Sequence, residues 1–314
     1  MPNPTRRSIL QAGACVAATS FAGRATSSPL PLEFAPVAEG IFVSTGRHEL
    51  FSPANGGHIA NVSFIVGNDA VAVVDTGGSA GVGRALLDAI RSKTDRPIRY
   101  CINTHMHPDH VFGNAPMAAP ETIFIGHAKL PRALTARATR YLSTARDDLG
   151  PEAFDGTRII PPSETVEDEH SIDLGGRILT LKARKTAHTD NDLTVRDANT
   201  GTLFLGDLLF SAHIPTLDGS IRGWLKVLAE LKAEPAARVV PGHGPASMPW
   251  PQAMQAEADY LEAVARDVRA LIKEGRTLSD AVPLAARSEK DRWLLFEEFH
   301  ARNVTAAFAE LEWE

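Results

Sequence analysis

Four extended runs in this chain each lead to a histidine or an aspartate. IRYCINT runs into His105 of the heptapeptide THMHPDH, KARKTAH reaches His188, TLFLGD reaches Asp207 and ARVVPGH reaches His243. Ends of strands in α/β sheets are where ligands and substrates gather. A fold that sets these runs side by side therefore collects His105, His107, Asp109, His110, His188, Asp207 and His243 at one edge. That convergence is the strongest constraint on the fold.

The segments between these runs supply an α/β grammar. GIFVST, NVSFIVG and AVAVVDTGG read as short strands bounded by Gly, Asn or Asp, and GVGRALLDAIRSK reads as a helix with Val82, Leu86, Leu87 and Ile90 on one stripe. A mostly polar helix is expected at about 127–148, as a cover or a connection between halves. The second half repeats the pattern. TVEDEHSIDLGGRILTLKA gives two strands about a Gly-Gly turn, LTVRDANTGTLFLGD gives a hairpin turning at residues 198–201, and IRGWLKVLAELKA gives a helix. Strands followed by a helix thus occur twice, which predicts two α/β halves facing each other over residues 36–249. From 250 to 314 the texture is helical. Leu261, Val264, Val268, Leu271 and Ile272 form one apolar stripe; Trp293, Phe296, Phe299, Val304 and Phe308 form another, read as packing.

The N-terminus carries a separate message. TRRSILQAGACVAATSFA joins Arg6 and Arg7 to a moderately apolar stretch without charge until Arg24, the pattern of a twin-arginine export signal with cleavage expected after Ala22. A Ser/Pro-rich linker follows at 23–35. Loss of the leader takes the formal charge from −6 to −8 and leaves Cys101 as the single thiol, so no internal disulfide can form. Twin-arginine export moves folded proteins, which suits a chain that acquires a cofactor before leaving a bacterial cytoplasm for the periplasm or the medium. The negative charge and the lack of a long basic run exclude nucleic acid as a partner. No other stretch reaches the length of a membrane span.

Imidazole and carboxylate donors without thiolate suit zinc, with iron or manganese also admissible. The donors are too many for one tetrahedral ion and fit two ions sharing a carboxylate. Such a pair lowers the pKa of a bridging water to give hydroxide and polarises the substrate oxygen.

HMHPDH resembles the His-x-His-x-Asp-His motif of the metallo-β-lactamase superfamily, and His188, Asp207 and His243 follow in that family's order across residues 36–247. The resemblance implies an αββα sandwich with a C-terminal helical tail. It implies one zinc on His105, His107 and His188, a second on Asp109, His110 and His243, and Asp207 between them. Asp75, ending AVAVVD, resembles the family aspartate that orients the first cluster. An aspartate at 207, where many true β-lactamases use cysteine, points to the branch holding thioesterases and lactonases. The leader, the segment SPANGGHIANVSFIVG and the tail resemble the quinoprotein relay system zinc metallohydrolases, which implies a link to a quinoprotein dehydrogenase.

The expected activity is hydrolysis of an ester, thioester, lactone or similar bond, with Asp109 and His213 as catalytic candidates and His58 at the substrate rim. His213 and His58 lie in loops and titrate near working pH. His48, His127, His170 and His300 read as structural. Three other readings stay open: a metal-containing accessory or maturation protein for a quinoprotein, a β-lactamase, and an iron dioxygenase of the same fold.

Overall fold

The computed structural model describes residues 32–314; the leader at 1–22 and the linker up to residue 31 lie outside them. The first sheet has seven strands in chain order: β1 (Ala35–Ala38), β2 (Ile41–Ser44), β3 (Val62–Val66), β4 (Val71–Val74), β5 (Ile98–Ile102), β6 (Ile123–His127) and β7 (Glu164–Val166). Pairing is antiparallel from β1 to β4 and parallel from β4 to β7. The second sheet comprises β8 (Glu169–Asp173), β9 (Ile178–Ala183), β10 (Leu193–Asp197), β11 (Thr202–Phe210) and β12 (Arg238–His243), in the order β12-β11-β10-β9-β8. Only β11 and β12 run parallel there.

Alternation along the strands builds the layers. In β3 and β4, Val62, Phe64, Val71 and Val73 pack on Leu86 and Ile90 of α1 (Ala80–Lys93). The intervening Ile65, Ala72 and Val74 meet Leu179, Leu181 and Val195 of the other sheet. Each strand is thus buried on both faces, as period-two packing of a sheet between layers requires. Short helices α2 (Pro108–Val111) and α3 (Asn114–Met117) follow β5, and α4 (Leu130–Phe154) follows β6. On the far side, α5 (Ile221–Lys232) and α6 (Gln255–Lys273) bury Trp224, Val227, Leu261 and Val264 against Leu203, Leu205 and Leu209 of β11. After α7 (Leu278–Ala281), α8 (Phe296–Leu311) joins the same core through Val304 and Phe308. The result is the expected αββα sandwich, with the tail sharing the core of the second half. No helix among the described residues is long and apolar enough to cross a membrane.

Three local expectations are corrected. Residues 164–183 form three strands, because Gly175 and Gly176, both at positive φ, turn only β8 into β9, while β7 pairs with β6 in the first sheet. The polar helix starts later and runs longer than 127–148, with a break at Gly150, whose φ is 75°. Asp207 does not end its strand: β11 continues to Phe210, and Asp207 follows a register irregularity at Gly206. Gly206 takes φ 52°, a left-handed conformation that suits glycine, and the bulge turns the next side chain.

Arg177 ties the sheets together. It donates to both carboxylate oxygens of Asp197 at 2.9 Å, and to the carbonyls of Val66 and Glu39 at 2.9 Å. Both partners are buried. Removing one member of such a pair strands the other charge, so Arg177→Met should lower the unfolding free energy by about 3 kcal/mol. Urea denaturation checks this; an unchanged midpoint and slope would remove Arg177 from the inter-sheet contacts that matter.

Candidate metal centre

The heptapeptide follows β5, and its turn leads into α2, so His105, His107, Asp109 and His110 come from one compact loop. His188 lies in the β9–β10 loop, Asp207 at the β11 bulge and His243 at the end of β12. All seven side chains converge. The donor atoms of His105, His107, His188 and Asp207 lie within 4.8 Å of one another, as do those of Asp109, His110 and His243. Asp207 reaches both groups: Oδ2 is 3.6 Å from His105 Nε2 and 3.5 Å from His188 Nε2 and His243 Nε2, while Oδ1 is 3.1 Å from His110 Nε2. Gly242 makes this approach possible, because a Cβ there would stand 1.9 Å from Asp207 Oδ1.

Every one of the five rings is tied from behind. His105 Nδ1 is 3.0 Å from Thr104 Oγ1, whose own proton goes to Asp75 Oδ2. His107 Nε2 donates to Asp218 Oδ2 at 3.1 Å, His110 Nδ1 to Asp75 Oδ2 at 2.8 Å, His188 Nδ1 to the Thr216 carbonyl at 2.6 Å and His243 Nδ1 to the Ile59 carbonyl at 2.9 Å. An imidazole that donates from its outer nitrogen presents a lone pair at the inner one. The inner nitrogens face one another: His107 Nδ1 is 3.1 Å from His105 Nε2 and 3.0 Å from His188 Nε2. Beyond their 3.1 Å approach to each other, buried His110 Nε2 and Asp207 Oδ1 have no hydrogen-bond partner among the described residues. Lone pairs packed this closely, with two carboxylates among them, repel unless positive charge sits between. The donor set fits metal cations.

The electrostatics agree. Burial opposes charge on His243, yet Asp207 and Asp109 outweigh it and raise its pKa to about 9. Burial would raise the pKa of Asp109, but His110 and His243 hold it at about 2. The pocket demands cations, from protons or from metal.

Asp75 sits at the end of β4 with φ 58°. It accepts from Thr104 N, Thr104 Oγ1 and His110 Nδ1, so one carboxylate fixes residues beside both donor groups. His213 lines a cavity of about 590 Å³ above the cluster. Its Nδ1 contacts the Ile214 carbonyl, and burial, then His243, push its pKa down to about 3. It is a neutral buried wall residue rather than an exposed loop acid. His58 does not line this cavity; it is partly buried, 3.4 Å from Ser44 Oγ, with its pKa lowered to about 4 by burial and Arg47. His127 and His300 are buried and hydrogen-bonded, and His170 is exposed. His48 is nearer the site than a scaffold residue, its ring centroid 6.4 Å from that of His213.

Sequence reasoning missed much of the wall, Arg140 of α4 included. Arg137 and Tyr141 come from α4, and Phe299 and Arg302 from α8. Phe299, read as core packing, faces the cavity wall. Asp218 was also missed. Its signal was available in part, since an acid shortly after His213 in HIPTLDGS can orient an imidazole, but nothing local assigns it to His107.

The chain matches the metallo-β-lactamase superfamily model over residues 55–243. It belongs to that superfamily. In sequence it is 26% identical over 213 residues to a linear primary-alkylsulfatase of Pseudomonas sp. (strain ATCC 19151), a match covering 55% of this chain and 39% of that enzyme, so the chain spans well under half the relative's length. In structure it resembles the stereoselective inverting sec-alkylsulfatase of Pseudomonas sp. with a TM-score of 0.69 and 14% identity, over 89% of this chain and 50% of that one. A metallo-β-lactamase from Pontibacter korlensis superposes with a TM-score of 0.60 and 17% identity, over 74% of this chain and 99% of that one.

Gly242→Ala tests the close approach of Asp207 to β12. A methyl group there must displace the carboxylate, and affinity for a divalent cation should fall about 10- to 100-fold. Chelator competition measures this; wild-type affinity would mean Asp207 does not reach the ions.

Proposed function

We propose that this chain is a dinuclear zinc hydrolase that cleaves an ester-type bond in an anionic, partly apolar substrate. The observation that carries the reading is the set of five back-tied imidazoles and two carboxylates whose lone pairs share one buried volume at the floor of a large cavity. His105, His107 and His188 would hold one ion, Asp109, His110 and His243 the other, with Asp207 between. Bound there, two zinc ions supply Lewis acidity and bring the pKa of a water molecule towards neutrality.

The chain's own groups do the rest. Asp109, the more exposed of the two floor carboxylates, stays ionised and can orient an attacking water by accepting its proton in a hydrogen bond. Tyr141 faces the same space. Burial, reinforced by the charge of Asp218, raises its pKa, so its hydroxyl remains a donor for negative charge developing on the substrate. Phe51, Ile59 and Phe299 give the walls apolar area, while Arg137, Arg140 and Arg302 line the same cavity. Arg137 and Arg140 have no ion-pair partner among the described residues, which leaves two cations for a substrate anion. The alkylsulfatase relative supports including sulfate esters beside esters, thioesters and lactones. Arg6 and Arg7 support export to the periplasm, and the leader together with the tail supports a link to a quinoprotein dehydrogenase; fractionation and the neighbouring genes test these two parts.

With purified, zinc-supplemented protein, turnover of at least one of these ester classes is expected, and His107→Ala or Asp109→Asn should abolish it while circular dichroism stays native. Full zinc occupancy with no turnover of any class would favour the accessory-protein reading instead. The anion reading has its own measurement: the Arg137→Ala/Arg140→Ala double variant should raise KM for an anionic substrate about tenfold with kcat little changed. Equal effects on a neutral analogue would place the arginines outside substrate recognition.

A further inference from the structure

The peptide unit joining Thr216 and Leu217 is hydrogen-bonded on both of its faces. Its carbonyl accepts the outer proton of His188 at 2.6 Å, and its N–H donates to Asn303 Oδ1 on α8 at 2.8 Å. Asn303 Nδ2 donates to the Pro215 carbonyl at 2.6 Å, so one side-chain amide straddles Thr216. The amide's own orientation is fixed. Nδ2 also donates to the Tyr260 hydroxyl at 3.0 Å, the Tyr260 proton goes to His300 Nδ1 at 3.0 Å, and His300 Nε2 donates to the Ala285 carbonyl at 2.9 Å. Asn303, Tyr260 and His300 are all buried. Each proton in this chain has one acceptor, which leaves Asn303 Oδ1 as the only end of the amide that can face Leu217.

The same short segment holds a second imidazole. Asp218, next in sequence after Leu217, accepts from His107 Nε2 and pairs with Arg302 of α8 at 3.1 Å. Further along, Glu310 accepts from Ser220 Oγ at 2.7 Å and from Ile221 N at 2.8 Å. On the other side, Leu294 exchanges backbone hydrogen bonds with Ala212 and Ile214 at 2.8 and 3.0 Å. The segment from 212 to 221 is therefore sewn to the C-terminal helices along its length.

We infer that Asn303 is a positioning residue for the metal centre, acting through the Thr216–Leu217 peptide on His188, and that the C-terminal tail is thereby part of the site. An acceptor on a peptide N–H polarises the unit and makes its carbonyl a stronger acceptor. A stronger acceptor behind His188 fixes the ring and makes its inner nitrogen a better donor to a cation. The inference rests on the two-ion reading above.

Zinc affinity is the readout, measured by chelator competition on the folded full chain, with the d–d spectrum of the cobalt(II)-substituted protein beside it. Asn303→Ala should weaken zinc binding about tenfold and shift the cobalt bands, and Tyr260→Phe, which removes one fixing bond and keeps the ring, should weaken it about threefold. Val304→Ala is the control: this neighbour on α8 is equally buried but bonds to nothing at the site, so it should lower the melting temperature and leave zinc affinity unchanged. Should Asn303→Ala fail to fold, Tyr260→Phe carries the comparison. Wild-type affinity in the folded variants, or an equal loss in Val304→Ala, overturns the inference. Wild-type protein that keeps no zinc overturns the two-ion reading instead, so the two failures are told apart.

Discussion

Repulsion among like ends of dipoles at the metal centre is the constraint that the rest of this structure has to withstand. Five imidazole lone pairs and two carboxylates are pressed into one volume, and among the described residues only protons on their own rings stand to neutralise them. A protein can hold such an arrangement only if each ring is held from behind by a hydrogen bond of its own. That is what the structure shows. The outer nitrogens are tied to Thr104, Asp218, Asp75, Thr216 and Ile59, which belong to several separate segments of the chain. Displacing any one ring costs a buried hydrogen bond as well as a rotamer.

The rest of the architecture can be derived from the need to bring those anchors together. Asp75 must lie at the end of β4, beside the heptapeptide at the end of β5, and the parallel pairing of these strands places it there. Ile59 belongs to the first half, yet its carbonyl must reach His243 of the second. Asn61 makes that junction by donating to the carbonyls of Pro241 and Gly244 while its backbone N–H donates to Gly242. Arg177 closes the sandwich elsewhere on the inter-sheet contact. The two sheets are thus registered by polar contacts, whereas their apolar faces supply adhesion without direction.

The heptapeptide was legible because four donors at local spacing follow a strand, and the strand itself has a strong apolar signal. His188 and His243 were legible for a related reason, each lying at or soon after the end of an extended run. Asp207 was found with the wrong local structure: a glycine before an aspartate reads equally as a strand end or a bulge, and only pairing with β12 decides between them. The αββα layering followed from strand and helix order, but the transfer of β7 to the first sheet did not, since pairing partners leave no local trace. Least legible were the groups behind the rings. Thr216 and Ile59 act through their carbonyls, which every residue possesses, so no side-chain pattern could have marked them. Phe299 sat within a helical stripe, with Asn303 unremarked beside Val304, and the periodicity of a stripe speaks of burial and says nothing of which atoms meet across it.

The cavity's charge distribution adds a constraint on orientation. Its floor carries Asp109 and Asp207 and its side carries Asp218, while Arg137 and Arg140 belong to α4, a helix that contributes no donor to the metal cluster. An anionic substrate approaching the floor meets carboxylates whose field only bound cations can cancel, and near α4 it meets free guanidinium groups. Binding energy gathered at α4 and along the apolar walls is then available to hold a scissile bond against the floor in one direction. The tail enters this balance twice, because Phe299 and Arg302 form part of the wall while Arg302 and Asn303 hold the segment that fixes His107 and His188. On the proposed reading one helix bears both on where a substrate lies and on how two of the imidazoles face it, and its burial in the core of the second half through Val304 and Phe308 gives both contacts a fixed base.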